Sequence, residues 1–290
     1  MRDYVIMTDS CCDLPAGLAE ELELFYLPLT VHLDGDDYRN LLDGSEIGFE
    51  EFYARLETTK EASTSAVSVG DFETAMRELL QQGKDILCVS FSSGLSTTYQ
   101  SAVIAAEDLR QEFPEAKVEV VDSLCASLGQ GLLVYLCAQQ KRQGRTLDEV
   151  CAYAKETIPH LCHWFTVGDL EQLKRGGRVS PTTAWLGTML SIKPVLHVDD
   201  EGHLIPVSKS RGRRASLLAL ADKMEQTALE PENQTVFISH GTCLEDIEFL
   251  KDEIRRRMGV KQFVTSYVGP VIGSHTGPSV AALFFLGAQR

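Results

Sequence analysis

The chain is punctuated by short, continuously apolar runs that end in serine or aspartate. "YVIMTDS" (4–10), "DILCVSFS" (85–92) and "KVEVVDS" (117–123) are short for helices and rich in β-branched residues, as strands buried on both faces are. Helical patterns separate them: "LPAGLAEEL", "DFETAMRELLQQG", a stretch from Ser96 to about Phe113, and "ASLGQGLLVYLCAQQKRQG". A strand covered on both faces needs helices on both, so the alternation predicts a parallel sheet in a three-layer α/β/α domain. That domain is expected to close with the helix "TLDEVCAYAKETIPHL" and to span 1–160.

From 161 to 290 the pattern changes. "HWFTVGDLEQLKRGGRVS" leads into an apolar helical stretch, "TTAWLGTMLS", and "KPVLHVDDEGHLIPVSKS" reads as a hairpin with Asp200, Glu201 and Gly202 at its tip. A hairpin among crossover helices predicts an α+β domain with a mixed sheet, ending in the strand "VAALFFLG". Near the N-terminus "FYLPLTVHL" reads as one strand. The residues from "DGDDYRNLLDGSEIGFEEFYARL" to "TTKEASTSAVSVGDF" read as an acidic, polar stretch, with Thr64 and Ser65 in a loop before a helix beginning near Asp71.

Acidic residues outnumber basic ones 42 to 27, a net charge of −15 that argues against a nucleic-acid backbone or an anionic membrane surface as the main partner. No apolar run is long enough to span a bilayer, and the opening residues read as a strand rather than a signal peptide, so a cytoplasmic location is expected. Eight cysteines contain no CxxC pair and fall mostly in apolar segments, as reduced buried thiols do. "HLCH" (160–163) lacks a second pair of ligands, so no metal is expected.

Four segments lie at strand ends or helix starts, where parallel sheets collect ligands. In "SFSSGLSTTYQSA" (90–102), Ser96 is placed either to cap a helix or, with the first-turn amides, to face an anion. Thr64 and Ser65 in "STSAVSVGDF" are a hydroxyl pair that a turn alone could explain. Arg178 in "LKRGGRVS" and Arg211 in "SKSRGRRAS" suit carboxylate or phosphate recognition, or else plain surface solvation. His275 in "GPVIGSHTGPSVAALFF" sits among glycines and is either a placed donor or an ordinary packed histidine. There is no P-loop, no GxGxxG, no GxSxG and no evident Ser–His–Asp set. Hydroxyls and amides without an obvious base suit holding an anion more than cleaving a bond, so no catalytic residue is expected.

Taken in order, these segments resemble the DegV family of bacterial fatty-acid-binding proteins. The likeness is carried by "TDSCCDLP", "TSAVSVGDF", "SSGLSTTYQSA", "VVDS", "LKRGGRVS", "GHLIP", "KSRGRRA" and "GSHTGP", with Val67 where proline is usual and Thr97 where glycine is usual. The resemblance implies two α/β domains, a carboxylate held at their junction and an acyl chain in an apolar tunnel. It implies no cofactor beyond the bound long-chain fatty acid. It places the carboxylate on Thr64 and Ser96, with Ser65 and Ser93 as neighbouring hydroxyls and Arg211 and His275 near the headgroup. It also implies a separate fatty acid kinase as partner, toward which Arg178 would face. The alternatives are a lipid phosphotransferase or esterase with His275 as base, and a carrier of another amphipathic anion.

Overall fold

The computed structural model describes residues 2–59, 62–179 and 191–290. In chain order, the first half runs β1 (Tyr4–Asp9), α1 (Ala16–Glu21), β2 (Phe25–Leu27), β3 (Thr30–Leu33), β4 (Asp36–Arg39), α2 (Phe49–Thr58), β5 (Ala62–Ser65), α3 (Val69–Gln81), β6 (Asp85–Ser90), α4 (Thr98–Glu112), β7 (Val118–Asp122), α5 (Leu128–Arg142) and α6 (Leu147–Thr157). The second half runs β8 (Leu161–Thr166), α7 (Glu171–Arg175), β9 (Ile192–Val198), β10 (Leu204–Arg211), α8 (Arg213–Thr227), β11 (Thr235–His240), α9 (Leu244–Met258), β12 (Gln262–Tyr267), α10 (Pro270–Thr276) and β13 (Ala281–Leu286). The stretch "TTAWLGTMLS" lies, apart from Ser191, outside the described residues.

Strands β2-β1-β6-β7 form the expected parallel sheet, and β10-β9-β8-β13-β11-β12 form the expected mixed sheet, parallel only between β11 and β12. We propose the 160/161 division on this strand membership, since the mixed sheet begins at Leu161. Helix α5 is packed against both sheets, touching β1 and β6 on one side and β8, β11 and β13 on the other. One core therefore joins Ile6, Leu87 and Val121 to Leu161, Phe165 and Phe284.

A third, antiparallel sheet, β4-β3-β5, departs from the sequence reading. "FYLPLTVHL" is two strands in two sheets, because Pro28 has no amide to continue a ladder. Asp34 and Gly35, with φ of 54° and 87°, form a two-residue hairpin loop, which makes β4 out of the start of the acidic stretch. Later in that stretch Phe52, Tyr53 and Leu56 give α2 its buried face. Thr64 and Ser65 belong to β5 rather than to a loop. Helix α3 starts at Val69, because the Ser68 hydroxyl accepts the Asp71 amide while the Asp71 carboxylate accepts the Ser68 amide.

The order β2-β1-β6-β7 reverses direction between β1 and β6, and two buried carboxylates stand beside that point. Asp9 ends β1 and accepts the amides of Phe91 (2.8 Å) and Cys11 (3.1 Å) and the Ser90 hydroxyl (3.2 Å). Asp13 accepts the Ser127 hydroxyl (2.6 Å), which also pairs with Ser239 Oγ at 2.8 Å. Burial pushes the Asp9 carboxyl up to about 6 and the Asp13 carboxyl up to about 8, against the opposing effect of these hydrogen bonds. The folded state thus holds both protons more tightly than the unfolded chain. The stability this contributes is complete below the unfolded carboxyl range, near pH 4, and is lost as pH rises through about 6 and then about 8. Thermal midpoints should therefore fall between pH 5 and 9, and Asp13→Asn, which keeps an acceptor for Ser127 without a titrating proton, should flatten the upper part of that decline. An equally steep decline in Asp13→Asn would show that Asp13 does not cause it.

Candidate functional site

The carboxyl ends of the parallel strands open onto a cavity of ≈ 350 Å³. Its walls come from the loop after β6 (Phe91, Ser93, Leu95, Ser96, Thr97), the loop after β7 (Ala126, Ser127), and Thr64 and Ala66 at the end of β5. Arg178 follows α7, and Val271, Ile272, His275 and Thr276 come from α10. His163, Phe165, Val280 and Ala282, from β8 and around β13, line it on the side of the mixed sheet. The result is a chamber with a polar end at Thr64, His275 and Arg178 and walls elsewhere lined mostly by aliphatic and aromatic groups, of the size and character that small-molecule sites share.

Each polar group is fixed by the backbone near it. Asp9 pins the start of the loop after β6 through the Phe91 amide. Ser92 donates to the carbonyl of Gly202 at the tip of the β9–β10 hairpin (2.9 Å) and accepts the Gly94 amide (3.2 Å). Ser96 caps more modestly than the sequence suggests: α4 begins at Thr98, whose amide donates to Ser96 Oγ at 3.2 Å, and the two hydroxyls pair at 2.9 Å. Thr64 Oγ1 lies 3.0 Å from His275 Nε2. His275 stands in the last turn of α10, an element visible in retrospect from Pro270 at its first position and Gly277, with φ of 78°, just past its end. Gly176 backs the ring so closely that a Cβ there would lie 2.2 Å from His275 Nδ1.

Electrostatically this end is cationic without being doubly charged. Burial first, and the Arg178 guanidinium second, push the His275 imidazole down to about 4, so it is neutral at pH 7. Arg178 Nε donates to the Leu95 carbonyl at 3.3 Å, burial lowers its pKa, and an arginine guanidinium stays protonated in proteins. A second basin of ≈ 240 Å³ adjoins the cavity and shares Thr64, Arg178 and His275 with it; Ser63, Gln172 and Arg175 line its far side.

Of the residues singled out in the sequence, Thr64, Ser93, Ser96, Arg178 and His275 meet at this cavity. Ser65 and Arg211 do not line it. Successive strand residues face opposite ways, so with Thr64 inward Ser65 is outward and exposed, its hydroxyl 2.7 Å from His32 Nε2. Arg211 is exposed at the end of β10, the edge strand of the mixed sheet. His32 Nδ1 in turn lies 2.5 Å from Asp37 Oδ1, so a Ser–His–Asp chain unseen in the sequence crosses the outer face of the small sheet. His32 and Asp37 are directly opposed across β3 and β4 and Ser65 is on β5, which makes this a solvent-exposed cross-strand ladder. His163, Phe165, Ser127 and Ala282 were missed as cavity residues. The only signal for them was their place on strands and helix starts whose partners the sequence does not name. The residues of "HLCH" diverge: His160 Nδ1 bonds the Gly287 and Ala288 carbonyls, while His163 faces the cavity.

A family model described as "Uncharacterised protein, DegV family" matches residues 3–288. The chain belongs to the DegV family. It is 44% identical over 290 residues to a DegV domain-containing protein of Clostridium perfringens, covering 100% of this chain and 99% of that one. Among solved structures it is similar to a fatty-acid-binding DegV family protein from Thermus thermophilus, with a TM-score of 0.87 at 31% identity over 99% of this chain and 100% of that one. It is also similar to a stearic-acid-binding protein from Eubacterium ventriosum, with a TM-score of 0.86 at 26% identity over 98% of each chain. Among the described residues no helix is long and apolar enough to cross a membrane, and no cluster of His, Cys, Asp or Glu could hold a metal ion.

The charge relation at the polar end of this DegV site is testable directly. The His275 ring should stay neutral well below pH 6 in an NMR titration, and Arg178→Met should raise its pKa while leaving it below about 6.5, because burial is the larger cause. An unchanged titration in the variant would remove Arg178 from the account.

Proposed function

We propose that the chain binds a long-chain fatty acid, with its carboxylate at the Thr64–Ser96–His275 end of the cavity and its acyl chain in the apolar remainder. The observation that carries this reading is one cavity that brings Thr64, His275 and Arg178 together where the outer basin adjoins it and is otherwise walled largely by apolar groups such as Phe91, Phe165, Val271, Val280 and Ala282. The fatty-acid-binding relatives of the same fold support it. Thr64 holds the carboxylate by donating its proton to it, and the neutral His275 donates from Nε2 to Thr64 Oγ1, a direction the 3.0 Å contact allows. Ser96 and Ser93 add hydroxyls from the loop after β6, while Ser65 and Arg211 play no part in the headgroup contact.

Magnitudes favour a hydroxyl site of this kind. About 15 methylenes at ~0.8 kcal/mol each bring on the order of 12 kcal/mol gross, of which ordering and immobilisation remove several. The tail thus supplies affinity, and the headgroup contacts set direction. The outer basin shares Thr64, Arg178 and His275 with the cavity, so a bound carboxylate would present an oxygen toward it. We accordingly propose that the chain is a carrier that offers its fatty acid to a separate kinase for acyl-phosphate formation, with Arg178 toward that partner, rather than an enzyme acting alone.

Organic extracts of the purified protein should contain a long-chain fatty acid by mass spectrometry, and Thr64→Ala with Ser96→Ala should weaken its binding. Each lost hydrogen bond to a charged acceptor is worth about 1.5–3 kcal/mol at most, less where water replaces it, so the double variant should lose on the order of a hundredfold in affinity. Unchanged affinity would place the carboxylate elsewhere. Lipid-free extracts together with no binding of added fatty acid would overturn the reading.

A further inference from the structure

The two glycines of "LKRGGRVS" stand in unlike surroundings. Gly177 has φ of 71°, and a Cβ on it would meet no atom within 4 Å, so it serves the turn after α7. Gly176 has φ of −73° and ψ of −7°, a conformation open to any residue. Its backbone therefore does not call for glycine; the His275 ring beside it does. The Gly176 carbonyl also accepts from Arg178 Nη1 at 2.5 Å, so one residue touches both the imidazole and the guanidinium of the polar end.

The contact with the ring has a direction. A Cβ on Gly176 would lie 2.2 Å from His275 Nδ1, 3.0 Å from Cε1 and 3.3 Å from Cγ. Nδ1 is nearest, with both of its bonded carbons well behind it, so that point lies outward of Nδ1 and close to the ring plane. This is the line along which Nδ1 carries either its proton or its lone pair. In glycine an α-hydrogen takes the place of the Cβ, and it cannot accept a hydrogen bond. A proton on Nδ1 would face it unpaired, at the cost of any buried donor without an acceptor. A lone pair meets it as a weak C–H contact. The other ring nitrogen, Nε2, lies 3.0 Å from Thr64 Oγ1, which can accept.

We infer that Gly176 is a positioning residue: it holds His275 as the Nε2–H tautomer, and the ring thereby donates to Thr64 Oγ1 and leaves the Thr64 proton for a ligand carboxylate. The tautomer follows from the contact geometry, and its consequence for the carboxylate rests on the fatty-acid reading above. In the opposite tautomer Nε2 would take the Thr64 proton, and the hydroxyl would turn lone pairs toward the anion. A methyl group at 176 would press on Nδ1 in the ring plane and displace Nε2 from Thr64.

Two measurements test this. Proton–nitrogen correlation spectra of the full chain, labelled at its histidine nitrogens and with the His275 signals identified by their loss in His275→Ala, should show a protonated Nε2 and a bare Nδ1 at neutral pH. A protonated Nδ1 overturns the inference. Octadecanoic acid should bind Gly176→Ala about tenfold or more weakly than wild type, the range of one hydrogen bond to a charged acceptor. Gly177→Asn should bind it within about twofold of wild type, since asparagine tolerates positive φ. Because Gly176 acts through the ring, adding Gly176→Ala to His275→Ala should cause little further loss. An equal loss in both backgrounds, or none in Gly176→Ala alone, would also overturn the inference. A wild type that keeps its proton on Nε2 but does not bind octadecanoic acid would overturn the fatty-acid reading while the tautomer assignment stands. Should Gly176→Ala not fold, the wild-type spectrum and the comparison of the double variant with His275→Ala decide between the same outcomes.

Discussion

The carboxylate of Asp9 holds the site's framework. It is fully buried at the end of β1, and it reaches across the switch point of the parallel sheet to accept the Phe91 amide at 2.8 Å and the Ser90 hydroxyl at 3.2 Å. A group that is costly to bury is retained where its acceptors fix backbone that nothing else could fix. Here the fixed backbone is the start of the loop that carries Ser92, Ser93 and Ser96. Ser92 passes the constraint on to Gly202 in the mixed sheet. Glycine is required on both sides of that contact: a Cβ on Gly94 would lie 2.9 Å from the Gly202 carbonyl, and one on Gly202 would lie 2.2 Å from Ser92 Oγ. One carboxylate thus orders the loop, and the loop meets the second half of the chain.

The other constraint is the sandwiching of α5 between two sheets. A helix buried on nearly all sides cannot show a clean polar face, and "LGQGLLVYLCAQQKR" has none until its last turn, where Lys141 and Arg142 lie. Ser127, immediately before it, has φ of 54° and spends its hydroxyl on Asp13 and Ser239 rather than on a cap. The start of α5 is thereby fastened to both halves at the point where the cavity passes it.

Patterns confined to one element were readable in the sequence. The three apolar strands, the α/β alternation, the β9–β10 hairpin and the order of the motif segments all depend on residues close together in the chain. What was not readable depended on partners far away or on one-residue choices. Pro28 divides a nine-residue apolar run between two sheets, and the Asp34–Gly35 loop turns a polar stretch into a strand pair. Thr64 faces the cavity and Ser65 the solvent only because β5 pairs with β3 in the register it has. Arg211 shares its basic, serine-rich setting with residues near the site, yet a position on an edge strand leaves it in solvent. His163 sat in "HLCH", where no metal is expected and nothing pointed to a cavity wall. A strand alternation puts it beside Phe165, and only the pairing with β13 says what that face encloses.

The neutral His275 leaves the Arg178 guanidinium as the full positive charge at the polar end of the cavity in an acidic protein. In a chain of net charge −15, a doubly cationic pocket would be an isolated concentration of buried charge, and burial opposes it twice, lowering the pKa of both Arg178 and His275. One full charge and several dipoles are what remains. In the proposed complex a single guanidinium balances a single carboxylate, and hydroxyls that can rotate take up the remaining lone pairs. Such a headgroup site distinguishes charge states weakly, whereas the apolar cavity holds the tail irrespective of what its carboxyl end becomes. In that proposed complex tail and headgroup would be separated along one cavity, with the carboxyl end at the wall of Thr64, Arg178 and His275 that the cavity shares with the outer basin.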